Sequence, residues 1–214
     1  MIAVLGRAVL KAVANACAVA AVAPAVAASA LEERLCPGAE GVFACCAQLL
    51  AFLPGLPGVA ARRAFYRGTL EVCAADFHID VGAIFTHRRA CVEPGVYIGA
   101  YALIGCANLR QGCLVGSRVS LLSGGSPHEL QPDGTWSPTD PGRLRQIEIG
   151  PHAWIGEGAI VMADIGPKAM VAAGAVVSTA VPSRVMVAGN PARFVRVLEP
   201  PAAHMPEREH ATGL

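Results

Sequence analysis

From about Ile79 onward, aliphatic residues followed by glycine or another small residue return every six positions. Ile98-Gly99, Ile104-Gly105, Leu109, Val115-Gly116 and Leu121 mark one series. Ile149-Gly150, Ile155-Gly156 and Val161 mark a second, and Ile165-Gly166, Val171-Ala172 and Val177 a third. A period of six fits neither an amphipathic helix nor simple strand alternation. Held over some hundred residues, it points to a β-solenoid in which each hexad is one short strand and one turn. The aliphatic residue would point inward and stack on its equivalents in adjacent coils, and the small residue would let the chain turn. The two slips between the series are what tight corners or local deletions produce. A doubly wound α/β fold would need helical stretches of about a dozen residues between strands, and none is found there.

The expected fold class is therefore mainly β, a parallel β-helix of hexapeptide repeats with an α-helical, apolar N-terminal extension. The boundaries read as an apolar helix over 1–34, a helical connector or cap over 35–78, the β-helix over 79–198 with a loop at 123–146, and a polar tail over 199–214. Pro54-Gly55-Leu56-Pro57-Gly58 is a turn cluster. Beyond it, Arg62, Arg63 and Arg67 alternate with Phe65 and Tyr66. A solenoid needs a cover over its terminal coil, which suits a short helix here, although a basic, aromatic segment also suits lipid headgroups.

Ala12 to Leu31 is a run of 20 residues without a formal charge. Three readings compete: a membrane span, a cleavable signal peptide ending near Ala28-Ser29-Ala30, and a helix lying in the membrane interface. Asn15, Pro24 and the dominance of alanine make it a weak span. A single span with basic residues ahead of it would export the rest of the chain. Membrane association of some kind is retained as an expectation, on the cytoplasmic face, and secretion is the least favoured reading.

Lys and Arg number 17 and Asp and Glu 16, a formal net charge of +1, which gives no electrostatic case for a nucleic-acid partner. The 8 cysteines are irregularly spaced and form no C-x-x-C pair. They read as small, buried, reduced thiols of a cytoplasmic protein.

The segments VYIGAYALIG at 96–105, CLVGSRVSLLSGG at 113–125, IEIGPHAWIGEGAIVMADIG at 147–166, MVAAGAVVSTAVP at 170–182 and VAGNPARFVR at 187–196 resemble the hexapeptide-repeat acyltransferases. The resemblance is to the maltose/galactoside O-acetyltransferase group and the polysaccharide-biosynthesis acetyltransferases, over about half the chain. It implies a left-handed coil, a homotrimer with each active site between neighbouring β-helices, and acetyl-CoA as donor to a hydroxyl of a sugar or related acceptor. An amine acceptor stays open. No metal is expected.

The repeat stops between Leu122 and Ile147, where the text turns polar and rich in Pro and Gly. Binding and catalytic groups tend to sit on such excursions. His128 lies near the start of this one. A neutral imidazole is suited to take the proton of an attacking hydroxyl at neutral pH, and the resemblance places the family's catalytic histidine here. Backbone N–H groups around Ser123, Gly124 and Gly125 are candidates to stabilise the oxyanion. His87 is the second candidate, able to line the groove, orient an acceptor or hold His128, or else a surface turn residue. Glu129 and Trp136 suit a saccharide, and Trp136 serves equally to anchor the loop. For the CoA arm and phosphates the candidates are Trp154, Lys168, Ala172, Ala173, Gly174, Asn190, Pro191 and Arg193. Prism geometry alone accounts equally well for the small residues among them. Two rivals remain: a γ-type carbonic anhydrase, which needs three histidines on zinc, and a non-catalytic scaffold.

Overall fold

The computed structural model describes residues 2–124, 128–138 and 144–199, with side chains from residue 12 onward. Three helices come first: α1 over Ile2–Leu35, α2 over Gly41–Ala51 and α3 over Gly55–Thr69. Two- and three-residue strands then wind into a three-sided prism, closed by the longer strands Val185–Ala188 and Arg193–Val197. All strand pairs are parallel except that of Val185–Ala188 with Arg193–Val197, which turns back antiparallel.

Face I carries Val72–Cys73, Cys91–Val92, Ala107–Leu109 and Ile147–Ile149, prolonged by single bridges from Ile149 to Ile165 and from Ile165 to Val181. Face II carries His78–Ile79, Tyr97–Ile98, Leu114–Val115, Trp154–Ile155, Met170–Val171 and Val185–Ala188. Face III carries Ile84–Phe85, Leu103–Ile104, Ser120–Leu121, Ile160–Val161 and Val176–Val177. The six-residue period is thus one face per hexad. The first strand, Val72–Cys73, precedes Ile79, where the repeat becomes readable, because Ala74-Ala75-Asp76 offers no aliphatic–glycine pair.

The second residue of each short strand faces inward. Ile79, Ile98, Val115, Ile155 and Val171 form one fully buried column, and Phe85, Ile104, Leu121, Val161 and Val177 another. At roughly 1.5–3 kcal/mol per fully buried side chain, these columns are the main cohesive element of the fold. The small residue after the inward one is needed because coils stack closely. A Cβ on Gly156 would come within 2.5 Å of the Ala173 backbone nitrogen in the next coil.

The extension covers the first coil. Phe43, Phe65, Tyr66 and Phe85 form a contiguous aromatic cluster with centroid separations of 5.8, 5.4 and 4.8 Å along the chain of contacts. The Phe85 N–H donates to the Tyr66 hydroxyl at 3.2 Å. Arg62 is fully buried, and its guanidinium donates to the carbonyls of Leu50, Ala51 and Leu53 at the end of α2 and of Ile79 on the prism. A helix C-terminus leaves such carbonyls without intrahelical donors, and a cation there also suits the helix dipole.

The cysteines depart from the sequence-based expectation. All 8 are free, but only Cys106 and Cys113 are buried. Cys17, Cys36 and Cys45 are exposed on the extension, whose helices bury only one side.

Candidate active site

The edge between faces III and I differs from the other two. Along the I/II edge the chain turns through left-handed residues Gly95, Gly112, His152, Lys168 and Arg184, and along the II/III edge through Gly82, Tyr101, Arg118, Gly158 and Gly174. No such ladder forms on the third edge among the described residues. There the chain leaves the prism after Leu121 and returns at Ile147. The excursion is pinned at its base: Arg145 N–H donates to the Ser123 carbonyl at 3.0 Å, and the Arg145 guanidinium pairs with Asp164.

A cleft of about 270 Å³ opens on this edge, lined by Thr86, His87, Gly105, Ser123, Gly124 and Met162 together with leucines of face III and the loop. The structure therefore brings His87, Ser123 and Gly124 together. Ser123 is held by its hydroxyl, which accepts from the Cys106 N–H at 2.8 Å. The Gly124 N–H is already donated to the Leu122 carbonyl at 2.8 Å, so of the expected oxyanion donors this one is engaged. Gly125 lies outside the described residues.

His87 is placed by the extension. Its Nδ1 lies 2.6 Å from Oε2 of Glu40, immediately before α2. A carboxylate has no proton to give, so Nδ1 carries the hydrogen, and the neutral ring keeps a bare lone pair on Nε2. Oε1 of the same carboxylate accepts the Arg88 N–H at 2.7 Å. Partial burial of Glu40 works to raise its pKa, but the hydrogen bonds from His87 and Arg88 outweigh it and hold the carboxyl below its ordinary range. Arg88 locks the arrangement further. Its guanidinium donates to Glu32, Glu33, the Ala39 carbonyl and Ser29, and stacks 5.0 Å from the Phe43 ring centroid.

His128 sits on the excursion itself and does not line the cleft. Its Nδ1 donates to the Ser137 carbonyl at 2.8 Å, which fixes the same tautomer and leaves Nε2 without a hydrogen. The loop forms a small antiparallel turn through the Leu130–Trp136 bridge, with the Glu129 N–H on the Ser137 hydroxyl at 2.8 Å. Trp136 is 69% exposed, so it does not anchor the loop to the prism.

The residues expected for CoA fall on other parts of the prism. Trp154 stands outward on face II, between Leu114 and Met170. Lys168 is a corner of the I/II edge (φ 57°) and Gly174 of the II/III edge (φ 68°). Ala172 and Ala173 follow the packing described above for Gly156. Asn190-Pro191, joined by a cis peptide, and Arg193 close the last coil. One chain thus does not gather this set at the III/I cleft.

Sequence reasoning missed Glu40, Thr86 and Met162. Glu40 is the instructive omission: it lies 47 positions from His87 and belongs to a segment read as connector. Among the described residues no group of three His, Cys, Asp or Glu is gathered as a metal site.

No protein-family model matches the sequence, and no curated protein matches it. Similar solved structures include AntD, an N-acyltransferase from Bacillus cereus, in complex with dTDP and 3-hydroxybutyryl-CoA. It shares 16% identity over 58% of this chain and 70% of that one, with a TM-score of 0.48. Another is the hexapeptide-repeat containing acetyltransferase VCA0836 from Vibrio cholerae, with 20% identity over 74% of this chain and 90% of that one, and a TM-score of 0.42.

Proposed function

We propose that this protein is a CoA-dependent acyltransferase, moving an acetyl or similar group to a hydroxyl or amine of a saccharide or related acceptor. The observation that carries the reading is the His87–Glu40 pair opening onto the cleft beside Ser123, at the place where the repeat is interrupted. The residue-level resemblance to hexapeptide-repeat acyltransferases supports it independently.

In this reading Nε2 of His87 takes the proton of the acceptor as its oxygen or nitrogen attacks the thioester carbonyl. The C–S bond then breaks, and the departing thiolate takes that proton from the imidazolium to leave as free CoA thiol. Glu40 keeps the ring oriented and favours the transient imidazolium. A second reading assigns the base to His128, on the observation that its Nδ1–H is held by the Ser137 carbonyl, which leaves the lone pair on Nε2.

Assembly belongs to the same proposal. Face II presents the outward row Tyr97, Leu114 and Trp154, and face III presents Leu103 and Ile160, all exposed and apolar. Two apolar faces meeting at one edge suit a closed ring of identical copies, so we propose a homotrimer, located in the cytoplasm with its acyl-CoA donor. Light scattering tests the assembly.

The deciding experiment measures thiol release from acetyl-CoA over a panel of saccharide acceptors. The wild-type chain should turn over, His87→Ala should lose about 10²-fold or more, and His128→Ala should lose less. The reverse order moves the base to His128. No saturable acyl-CoA binding by calorimetry would sink the acyltransferase reading.

A further inference from the structure

The helical extension carries a surface that neither the prism nor the cleft uses. Helix α1 buries one stripe, Ala18, Val22 and Ser29, with Asn15, Ala25 and Val26 half-buried beside it. Its other sides are exposed alanine and valine over most of the run, and an 18-residue stretch within Ala12–Leu35 has a mean hydropathy of 1.7. The turn between α2 and α3 adds Leu49, Phe52 and Leu56 at 67%, 76% and 81% exposure. The two regions are continuous, because Ala14, Cys17, Leu53, Leu56 and Pro57 line one open apolar groove of about 720 Å³.

Charge distinguishes the occupants. The acidic residues among the first 70 are Glu32, Glu33 and Glu40. All three are turned toward the prism and engaged there, Glu32 and Glu33 with Arg88 and Glu40 with His87. The margin of the apolar surface carries an exposed base, Arg67 beside α1, and in the sequence Arg7 and Lys11 precede the apolar run, while Glu33 at its far end is in an ion pair with Arg88. An apolar helix face with a basic margin is complementary to an anionic lipid surface.

The packing also selects how the lipid is met. The Val26 side chain lies against Gly68, Asn15 accepts from Arg63, and residues 14–30 of α1 run beside α3. Helix α3 is itself fixed to the prism through Tyr66 and Arg62. If α1 crossed a bilayer in this arrangement, α3 would be drawn into hydrocarbon with its three arginines and the first coil behind it. Charged side chains at that depth are costly. We propose that α1 and the α2–α3 turn form a docking surface for an anionic bilayer, lying in its interface plane rather than spanning it. This inference stands apart from the acyltransfer reading.

The test is co-sedimentation of the full chain with vesicles of phosphatidylcholine alone and of phosphatidylcholine with 30% phosphatidylglycerol. Binding should require the anionic lipid, weaken several-fold as salt is raised from about 0.1 to 0.5 M, and be released by alkaline carbonate. Phe52→Glu with Leu56→Glu should reduce partitioning about tenfold or more, and Arg67→Glu about threefold, on anionic vesicles. Both apolar side chains are exposed, so circular dichroism and the melting temperature should not move in the double variant. Absence of vesicle binding, equal binding to both lipids, or an unaffected double variant would each overturn the proposal. Resistance to carbonate would make α1 a span. A self-associated species that dissociates in the double variant, without lipid binding, would assign the surface to a second copy.

Discussion

Along the prism, every inward position of face II from Ile79 to Val171 is fully buried, whereas α1 buries little more than a stripe of its residues from 12 onward. The two regions reach order by different means. In the solenoid each coil is covered by the next, so burial repeats with the sequence and the core is a property of the period. In the extension, burial depends on a few specific neighbours: Val22 and Val26 on α3, Asn15 on Arg63, and above all Arg88. The lesson is that cohesion in this chain is distributed in one part and concentrated in the other.

The largest effect should come from the solenoid end of the shared aromatic cluster: Phe85→Ala should lower the unfolding free energy by about 4 kcal/mol, read by denaturant titration. A loss below 1 kcal/mol would mean the first coil is held by the helices rather than by its own column. Next, Arg88→Ala should cost about 2 kcal/mol and, more tellingly, release the extension locally. Limited proteolysis should then cut near residues 30–45 while the prism stays intact; simultaneous loss of both would erase the distinction between the regions.

Glu40→Gln should lower acyl transfer about tenfold with KM unchanged, because the His87 ring loses the carboxylate that orients it. An unchanged kcat would reduce Glu40 to a structural role. A weaker effect concerns acid stability. Glu32 and Glu40 have folded pKa values held below the ordinary carboxylate value of about 4.3 by their hydrogen bonds, for Glu32 chiefly the Val42 N–H. Their contribution is complete above that value and lost as pH falls through the lower folded values. Proteolytic protection of residues 30–45 should therefore fade below about pH 4, before the prism melts. The smallest expected change is Val22→Ala, about 1 kcal/mol, seen as a shift in α1 protection alone.

The solenoid was legible because its periodicity records a physical constraint at every sixth residue: an inward aliphatic such as Ile155 and a small follower such as Gly156. The excursion at 123–146 was legible as an interruption of that rule. What sequence spacing did not reveal is which histidine faces the cleft. His128 is conspicuous because it lies in the interrupting segment, whereas His87 is made conspicuous only by a carboxylate folded in from 47 positions away. Helix α1 was legible as apolar, but its stripe of contacts with α3 follows from tertiary packing, which an alanine–valine run does not encode.

The Glu40–His87 pair has a practical side. An apolar leader of this kind invites removal when a protein is to be made easier to handle, and the repeat texture from Ile79 suggests a natural place to cut. Such a shortened chain would keep the inward column of face II but lose the Val72–Cys73 strand of face I and the Tyr66 ring on Phe85, and it would hold a histidine stripped of its carboxylate and an arginine stripped of Glu32 and Glu33. Poor turnover by that fragment would report the surgery, and the intact polypeptide is the proper subject for assays.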